Sequence, residues 1–252
     1  MVLKTDDEIQ IMLEANQIVA ETLSMLIKVT EPGLTTLDLD RQAEELCHKR
    51  GGEPAFKGYR GFPGSLCVSV NEEVVHGIPS RKRKLKNGDI LSVDFGVKFK
   101  GYYGDSAVTI AVGKIDAEKQ RLLDVTEQSL ERAIGQVVIG HRIGDISRAV
   151  QEYVEGEGFS VVRQFVGHGI GTALHEGPEI PNFYQDQPSP KLQAGMVLAI
   201  EPMVNMGTYR VKVLRDGWTV ITADRKPSAH FEHTVAVTEQ GPRVLTSREN
   251  WS

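Results

Sequence analysis

The chain contains an internal repeat, and this repeat sets the first limit on its fold. Residues 32–41 (PGLTTLDLDR) resemble residues 139–148 (IGHRIGDISR) when the sequence is shifted by 107 residues. The same shift places residues 88–94 (GDILSVD) on residues 195–201 (GMVLAIE). Two matches in one register, in the same helix-then-strand order, predict two related halves within a single fold. The repeat also places an acidic residue at the end of the same strand in each half.

Length and composition favour one domain. The chain has 252 residues, of which 40% are hydrophobic and 25% charged, so it can bury a large core. No low-complexity segment or flexible linker divides it, so residues 1–252 are predicted to form a single domain. The net charge of −5 gives no general attraction to nucleic acid. No apolar run approaches the roughly 18–20 residues of a transmembrane helix.

The cysteines and the N-terminal segment indicate the cellular compartment. Cys47 and Cys67 are the two cysteines, too few for a disulfide framework and typical of a reducing compartment. Residues 1–23 carry apolar side chains at helical spacing that are interrupted by acids, which is not the pattern of a signal peptide. We therefore expect a cytoplasmic protein with no membrane association.

The periodicity of apolar residues predicts an α+β fold. Helical spacing predicts helices over residues 7–27, 36–49, 117–134 and 144–156, with Thr36 as the cap of the second. Runs rich in β-branched residues predict strands over residues 66–70, 89–99 and 102–112. The chain then becomes rich in strands to its end, and the stretch AHFEHTVAV, residues 229–237, is predicted to be one of them.

The two long strands predict a hairpin with an acidic pair. Gly101 allows a tight turn in FKGY, and a turn centred between Phe99 and Lys100 would place Asp94 directly opposite Asp105. Carboxylates ~5 Å apart across a hairpin repel each other unless a cation lies between them. Both side chains could instead face water, but their neighbours in the two strands are apolar.

Three further residues complete a candidate metal site. His168 lies in VGHGIG between glycines, Glu201 ends the apolar run VLAIEP, and Glu232 lies in AHFEHT. Taken singly, such a histidine is more often hydrogen-bonded to protein and such a glutamate is usually solvated. Together with Asp94 and Asp105 they supply four carboxylates and one imidazole. Two divalent ions would balance the four negative charges, which predicts a dinuclear site for manganese, iron, cobalt or zinc.

These five residues and their contexts (VDFG, GDSA, GHGIG, AIEP and FEHT) resemble the type I methionine aminopeptidases. The resemblance runs from the first helix to Val244 and implies the pita-bread fold, in which two pseudo-symmetric αβ halves surround a dinuclear metal site. It implies that residues 1–252 are one catalytic domain. It also implies the ligand roles: Asp94 holds one metal, His168 and Glu201 hold the other, and Asp105 and Glu232 bridge both.

The resemblance also implies the catalytic groups. Glu201 is expected to carry the proton of the attacking water. His175, in LHEGPEIP, is expected to donate to the substrate carbonyl oxygen, and His76, in VVHGIP, to contact the scissile amide nitrogen. Without the family motif, His76 would be interpreted as a histidine in a surface turn.

Matching the family further implies a pocket for the methionine side chain. The residues expected to line it are Phe56, Tyr59, Phe62, Cys67, Leu174 and Trp218. The alternative for each is an ordinary core position, and that alternative is strong for Cys67 in LCVSV. Phe62 stands where tyrosine is common in the family, and Leu174 where an aromatic residue is common. These two departures concern the size of the pocket and its preference for inhibitors rather than the reaction.

The expected activity is removal of the N-terminal methionine from nascent proteins whose second residue is small, by attack of a metal-bound hydroxide on the first peptide bond. Two alternatives share the fold. One is an Xaa-Pro aminopeptidase or prolidase, which normally has a large additional N-terminal domain. The other is a non-catalytic binding protein, but such relatives typically lose metal ligands. Only 31 positions separate Glu201 from Glu232, which favours type I, and the lack of a zinc-finger extension favours the bacterial or organellar form.

One basic segment stands out in this acidic chain. RKRKLK, Arg81–Lys86, carries five positive charges in six residues. A short charged run is most often a solvated loop. Because a methionine aminopeptidase meets chains leaving the ribosome, the alternative is a salt-sensitive contact with ribosomal phosphates. The segment follows His76 closely, so we expect it near the mouth of the active site. The protein is expected to be a monomer.

Overall fold

The structure is a computed structural model and describes residues 2–248. Within that range it contains both helices and sheets, which confirms the α+β class. The helices are α1 (Asp6–Val29), α2 (Thr36–Lys49), α3 (Ala117–Ile134) and α4 (Ile143–Gly156), with a 3-10 helix at Tyr59–Gly61. The strands of the first half are β1 (Glu53–Pro54), β2 (Cys67–Val70), β3 (Glu73–Val75), β4 (Ile90–Phe99) and β5 (Tyr102–Ala111). Those of the second half are β6 (Ser160–Val161), β7 (Val166–Gly169), β8 (Glu176–Pro181), β9 (Val197–Ile200), β10 (Met203–Asn205), β11 (Val211–Val213), β12 (Val220–Thr222), β13 (Ser228–His230), β14 (His233–Thr238) and β15 (Gly241–Val244).

All four predicted helices are present, with small shifts at their ends. The second helix begins at Thr36 as predicted, but its cap is Thr35, not Thr36. The Thr35 side chain accepts from the backbone N–H of Asp38, and the Asp38 carboxylate accepts from the backbone N–H of Thr35. This reciprocal pair satisfies two backbone donors that the first helical turn leaves open. Thr36 uses its hydroxyl elsewhere, in hydrogen bonds with the backbone of Ser80.

The predicted repeat appears as matching backbone hydrogen bonds in the two halves. Gly33 N–H donates to the Leu85 carbonyl (2.8 Å), and 107 residues later Gly140 N–H donates to the Leu192 carbonyl (3.3 Å). The isolated bridge between residues 35 and 84 recurs between residues 142 and 191. Gly33 and Gly140 both have positive φ angles, +103° and +93°, which non-glycine residues rarely adopt. Each half therefore docks the start of one helix (α2 or α4) on an equivalent loop.

The sheets bring the centres of the two halves together. In the first half β4 pairs with β1, β2 and β5, and in the second half the order is β15–β14–β9–β7–β8. Hydrogen bonds join the halves directly, because Glu232 N–H donates to the Ala107 carbonyl (3.0 Å) and the Thr234 hydroxyl donates to the Asp105 carbonyl (2.7 Å). One apolar core runs through both halves, from Leu23 of α1 to Val235 of β14.

The predicted register of the β4–β5 hairpin is wrong. Asp94 lies opposite Ala107, and Asp105 lies opposite Gly96. The connection consists of Lys100 and Gly101, both with positive φ (+49° and +85°), so the turn is centred one residue later than predicted. The two carboxylates nevertheless remain on one face, because Asp105 is two residues from Ala107 and side chains alternate along a strand.

No helix of residues 2–248 is long and apolar enough to cross a membrane. Both cysteines, Cys47 and Cys67, are buried and free.

Candidate metal centre

The five predicted ligands come from separate strands and strand ends that meet where the two halves join. Asp94 lies in β4, Asp105 in β5 and His168 in β7, and Glu201 directly follows β9. Glu232 lies outside regular strand structure, because residues 231 and 232 interrupt the predicted strand 229–237 between β13 and β14. This break is fixed to β5, since the Ser106 hydroxyl donates to the Glu232 carbonyl (2.5 Å).

The ligand atoms are spaced for a shared cation. Atoms of Asp105, His168 and Glu232 all lie within 4.8 Å of one another, and all three residues are buried. His168 Nε2 is 3.6 Å from Glu201 Oε1 and 4.0 Å from Asp105 Oδ2. Two ligands that each lie about 2.0–2.2 Å from one ion can be at most about 4.4 Å apart, so the separations of 3.6 Å and 4.0 Å suit a shared metal.

His168 is oriented by the residues that flank it. Its Nδ1 contacts the Gly169 carbonyl at 2.9 Å, so Nδ1 carries the hydrogen and Nε2 presents a lone pair to the carboxylates. Gly167 lets the second-half strands approach closely. A β-carbon at Gly167 would lie 2.4 Å from the Ala199 carbonyl oxygen, which no other residue could tolerate without a shift.

The carboxylates are in an environment that disfavours their charge. Burial, followed by repulsion from neighbouring carboxylates, holds the pKa values of Asp94, Glu201 and Glu232 well above their usual range. Burial also raises the pKa of Asp105, while its hydrogen bond with Asp94 acts against that rise. Without cations the site favours the protonated forms of these groups. Divalent ions would reverse the shifts by replacing the protons.

Carboxylate oxygens without hydrogen-bond partners also indicate a site for divalent cations. Buried oxygens of Asp94 (Oδ1), Asp105 (Oδ1) and Glu232 (Oε1) have no hydrogen-bond partner among residues 2–248. A buried polar atom without a partner carries a free-energy penalty that coordination to a metal removes. Four carboxylates and one imidazole, without a thiolate ligand, suit a pair of divalent transition-metal ions.

Two other predicted histidines lie beside the carboxylates. The rings of His175 and His168 lie 4.2 Å apart between centroids. Burial lowers the pKa of His76 to about 4, and partial desolvation and the charge of Arg60 lower the pKa of His175. Both are therefore neutral near pH 7, with one N–H donor each. The backbone of His76 has φ +59°, an unusual conformation that turns the chain sharply after β3.

One cavity of about 300 Å³ contains every predicted site residue. Around it the structure places the five ligands, His76 and His175, and all six predicted pocket residues: Phe56, Tyr59, Phe62, Cys67, Leu174 and Trp218. Phe62 and Trp218 meet edge to face with centroids 5.2 Å apart and form an aromatic wall. The neighbouring Cys67 thiol is fully buried, which raises its pKa and keeps it protonated.

Sequence reasoning missed several residues of this site. The cavity is also lined by Arg60, Val75, Gln164, Phe165, Val166 and Met203. His230 lies beside it, 1% exposed, with Nε2 at 3.5 Å from Glu201 Oε2. His230 is only two residues from Glu232 in the sequence. The sequence around a single histidine does not predict its contact with Glu201, which lies in another part of the chain.

Comparison with known proteins identifies the family. The model of metallopeptidase family M24 matches residues 10–239. A methionine aminopeptidase of Clostridium perfringens is 54% identical over 246 residues and covers 98% of both chains. The chain belongs to the methionine aminopeptidases of metallopeptidase family M24. The crystal structure of a methionine aminopeptidase from Thermotoga maritima superposes with a TM-score of 0.96, at 47% identity, and covers 98% of this chain and 99% of that one.

These similarities confirm the type I methionine aminopeptidase resemblance and the pita-bread fold. Membership of a metallopeptidase family also shows that the chain uses divalent metal ions, and the buried cluster of Asp105, His168 and Glu232 is present to hold a metal. A prolidase from Pyrococcus furiosus shares the fold with a TM-score of 0.81 but only 23% identity. This chain covers 66% of that prolidase, against nearly all of the two methionine aminopeptidases. The prolidase likeness therefore concerns the fold alone.

Proposed function

We propose that this chain removes the N-terminal methionine from nascent polypeptides whose second residue is small. The observation that carries the proposal is the single cavity that holds Asp105, His168 and Glu232 within 4.8 Å of one another beside an aromatic pocket. The protein is then a metal-dependent aminopeptidase, as its family membership indicates.

The site residues have separate tasks in this proposal. Asp94 would hold one divalent ion, His168 and Glu201 would hold the other, and Asp105 and Glu232 would be shared between them. When bound, divalent ions would supply a nucleophilic water near neutral pH and a positive charge that polarises the substrate carbonyl. Glu201 takes the proton of that water and delivers it to the leaving amine.

The two neutral histidines contact the scissile bond. His175, next to His168, donates to the carbonyl oxygen as negative charge develops there, and His76 contacts the amide nitrogen. His76 is held on the opposite wall by Phe165 and Trp218, whose ring centroids lie 5.6 Å and 6.3 Å from its own.

The methionine side chain is proposed to enter between Phe62, Trp218 and Cys67. Aromatic edges and a buried thiol are favourable neighbours for a thioether. Leu174, where an aromatic residue is common in the family, and Phe56 complete the wall.

Peptide hydrolysis tests the function. Metal-free protein should cleave Met-Ala-Ser only after a divalent ion (manganese, iron, cobalt or zinc) is added back, and should leave Xaa-Pro peptides intact. Preferential cleavage before proline would favour the prolidase alternative. Metal binding without hydrolysis of either peptide would favour a non-catalytic binding protein.

We also propose that Arg81–Lys86 contacts ribosomal phosphates. The side chains of residues 81–84 and 86 are exposed, while Leu85 is buried and anchors the loop. The loop leads directly from β3 and His76, and Arg83 influences Glu73 of β3 electrostatically. A clustered positive surface on a loop anchored against the start of α2 suits a salt-sensitive contact with a phosphate backbone.

Co-sedimentation with ribosomes at increasing salt tests this contact. Changing residues 81–84 together to Ser should lower the fraction bound and leave tripeptide hydrolysis unchanged. A control removes the same number of positive charges from dispersed, exposed positions: Lys49, Lys114, Lys191 and Arg243. Equal sedimentation of both variants and wild type would show that the loop is only solvated. The predicted monomeric state and cytoplasmic location stay predictions.

A further inference from the structure

Tyr59 contacts the His175 ring through both a hydrogen bond and ring stacking. Its hydroxyl oxygen lies 2.8 Å from Nδ1 of His175, and the two rings stack with centroids 5.3 Å apart and planes inclined by 28°. The family resemblance predicts that Tyr59 lines the methionine pocket. This hydrogen bond gives it a more specific task.

The Tyr59 hydroxyl is placed by a tightly closed turn. Gly58, Arg60 and Gly61 all have positive φ angles (+81°, +50° and +91°). Tyr59 N–H donates to the Phe56 carbonyl, and Phe62 N–H donates to the Tyr59 carbonyl, both at 2.9 Å. A non-glycine residue in the left-handed region is strained and persists where the surrounding structure requires it. The turn therefore holds the tyrosine ring in one position against His175.

His175 is fixed from its other side as well. The next residue, Glu176, is paired with the buried Lys4 at 2.5 Å and accepts the Ala173 N–H at 3.2 Å. The backbone on both sides of the imidazole is thus restrained. The Tyr59 contact then decides which ring nitrogen bears the hydrogen.

A neutral imidazole has one N–H, and the partner of one nitrogen sets the state of the other. If the Tyr59 O–H donates to Nδ1, the hydrogen must lie on Nε2. If the oxygen instead accepts from Nδ1–H, Nε2 has only a lone pair and cannot donate. The proposed role of His175 as a donor to the substrate carbonyl needs the first arrangement.

We propose that Tyr59 is a positioning residue that donates its hydroxyl hydrogen to Nδ1 of His175 and so keeps the hydrogen of the ring on Nε2. The inference rests on the proposed function, in which His175 donates to the carbonyl oxygen. It assigns Tyr59 an action through His175 in addition to a surface for the methionine side chain.

Nitrogen NMR of the metal-free protein tests the tautomer without any catalysis. Protein labelled with ¹⁵N-histidine is compared as wild type, Tyr59→Phe and the control Tyr103→Phe, with His175→Gln to assign the signal. Tyr103 is a half-buried tyrosine of the same apolar cluster as Tyr59, so Tyr103→Phe is a matched control for the loss of a tyrosine hydroxyl. Wild type and control should show His175 with a protonated Nε2 and an unprotonated Nδ1, and Tyr59→Phe should show a mixture of the two tautomers. A protonated Nδ1 in wild type, or an unchanged tautomer in Tyr59→Phe, overturns the proposal.

Kinetics with a methionyl tripeptide provide the second readout. Tyr59→Phe should lower kcat roughly tenfold, as for loss of the partner that orients a site histidine, while KM changes by less than about twofold. Metal content should equal that of wild type. An unchanged kcat, or a loss confined to KM, shows that Tyr59 is only a pocket wall. If wild type itself hydrolyses no methionyl peptide, the proposed function fails, and the NMR result still decides the tautomer.

Discussion

Replacing Glu232 by Gln should make the metal-free protein more stable at alkaline pH while removing its response to metal. Glu232 is 2% exposed, and its Oε1 has no hydrogen-bond partner among residues 2–248. Burial and the carboxylates of Asp105, Glu201 and Asp94 raise its pKa far above the ordinary value of 4.5. An amide resembles the protonated carboxyl in shape but cannot ionise, so the variant avoids the penalty of charging this position.

The direction of the pH dependence follows from two opposing groups of residues. The folded pKa values of His76 and His168 are lowered to about 4 and that of His230 to about 3. These histidines favour the folded state increasingly as pH rises, up to their unfolded value of 6.5, and above that pH their contribution is constant. A carboxyl with a raised pKa acts in the opposite sense: its contribution is complete below its unfolded value and is lost as pH rises through the folded pKa. Well above about pH 6.5 the histidines no longer change the stability, whereas the carboxyls and the two buried cysteines, whose pKa values burial raises, still do. The cysteines are common to wild type and variant, so their effect cancels in the comparison.

The magnitude follows from the proton count. Each carboxyl that stays protonated in the folded state lowers the free energy of unfolding by about 1.4 kcal/mol per pH unit. Between about pH 7 and pH 8.5 the wild type should therefore lose about 2 kcal/mol for each such group. Because one group is removed, the slope for Glu232→Gln should be flatter by about 1.4 kcal/mol per pH unit.

Urea denaturation with chelator present measures these slopes, and Glu118→Gln, at an exposed position of α3, is the matched control. In a second series with manganese at about 100 times its dissociation constant, the wild type should gain about 2.7 kcal/mol and the Glu232 variant much less. Parallel pH curves for wild type and Glu232→Gln, or an equal gain from metal, would refute the reasoning.

Three further changes test other parts of the site. Glu201→Gln should keep the fold but lose nearly all turnover, and activity close to wild type at saturating metal would contradict its role as proton carrier. Asp105→Ala or Glu232→Ala should lose more metal than Asp94→Ala when metal is counted by atomic emission, and equal losses would argue against bridging. Gly77→Ala should lower the melting temperature and hydrolysis together, because a β-carbon there would lie 1.9 Å from a backbone oxygen of β2; an unchanged melting temperature would show that the backbone can adjust.

Features that repeat along the chain could be predicted from the sequence. The four helices followed from the spacing of their apolar residues, and the two halves followed from a register shared at two places. The matching bridges at residues 35–84 and 142–191 show that this shared sequence specifies a shared backbone arrangement. The metal ligands could be predicted only from the sequence motifs of the family. The spacing of residues along the chain does not show which distant strands come together.

Features decided by a single backbone conformation or by long-range contact could not be predicted in this way. The hairpin turn depends on Lys100 adopting φ +49°, and lysine gives no sign of that preference. The break at residues 231–232 arises because hydrogen bonds to β5 replace the strand pairing there. Tyr59 and His175 are 116 positions apart, and only the folded chain shows that they meet.

The two halves share a backbone arrangement but not the same ligands. In the first half Cys67 pairs with Asp94, and its pKa is raised by burial and by the neighbouring carboxylates, so the thiol stays protonated and is a poor ligand. In the second half the nitrogen ligand His168 pairs with Ala199, two residues before Glu201. In the proposed ligand assignment, the ion on the Asp94 side would have only oxygen ligands from the protein, whereas the ion on the Glu201 side would also have an imidazole.

This asymmetry predicts two unequal binding steps for zinc. Because imidazole is a preferred zinc ligand and a fixed tautomer presents its lone pair, the ion bound by His168 and Glu201 should bind first and more tightly. Calorimetric titration of metal-free wild type with zinc should show two phases, and His168→Ala should remove the tighter one. His141→Ala, at an exposed position, is the matched control and should keep both phases. If His168→Ala instead weakened only the second phase, the tight ion would be the one on the Asp94 side, and ligand type would not determine the order of filling.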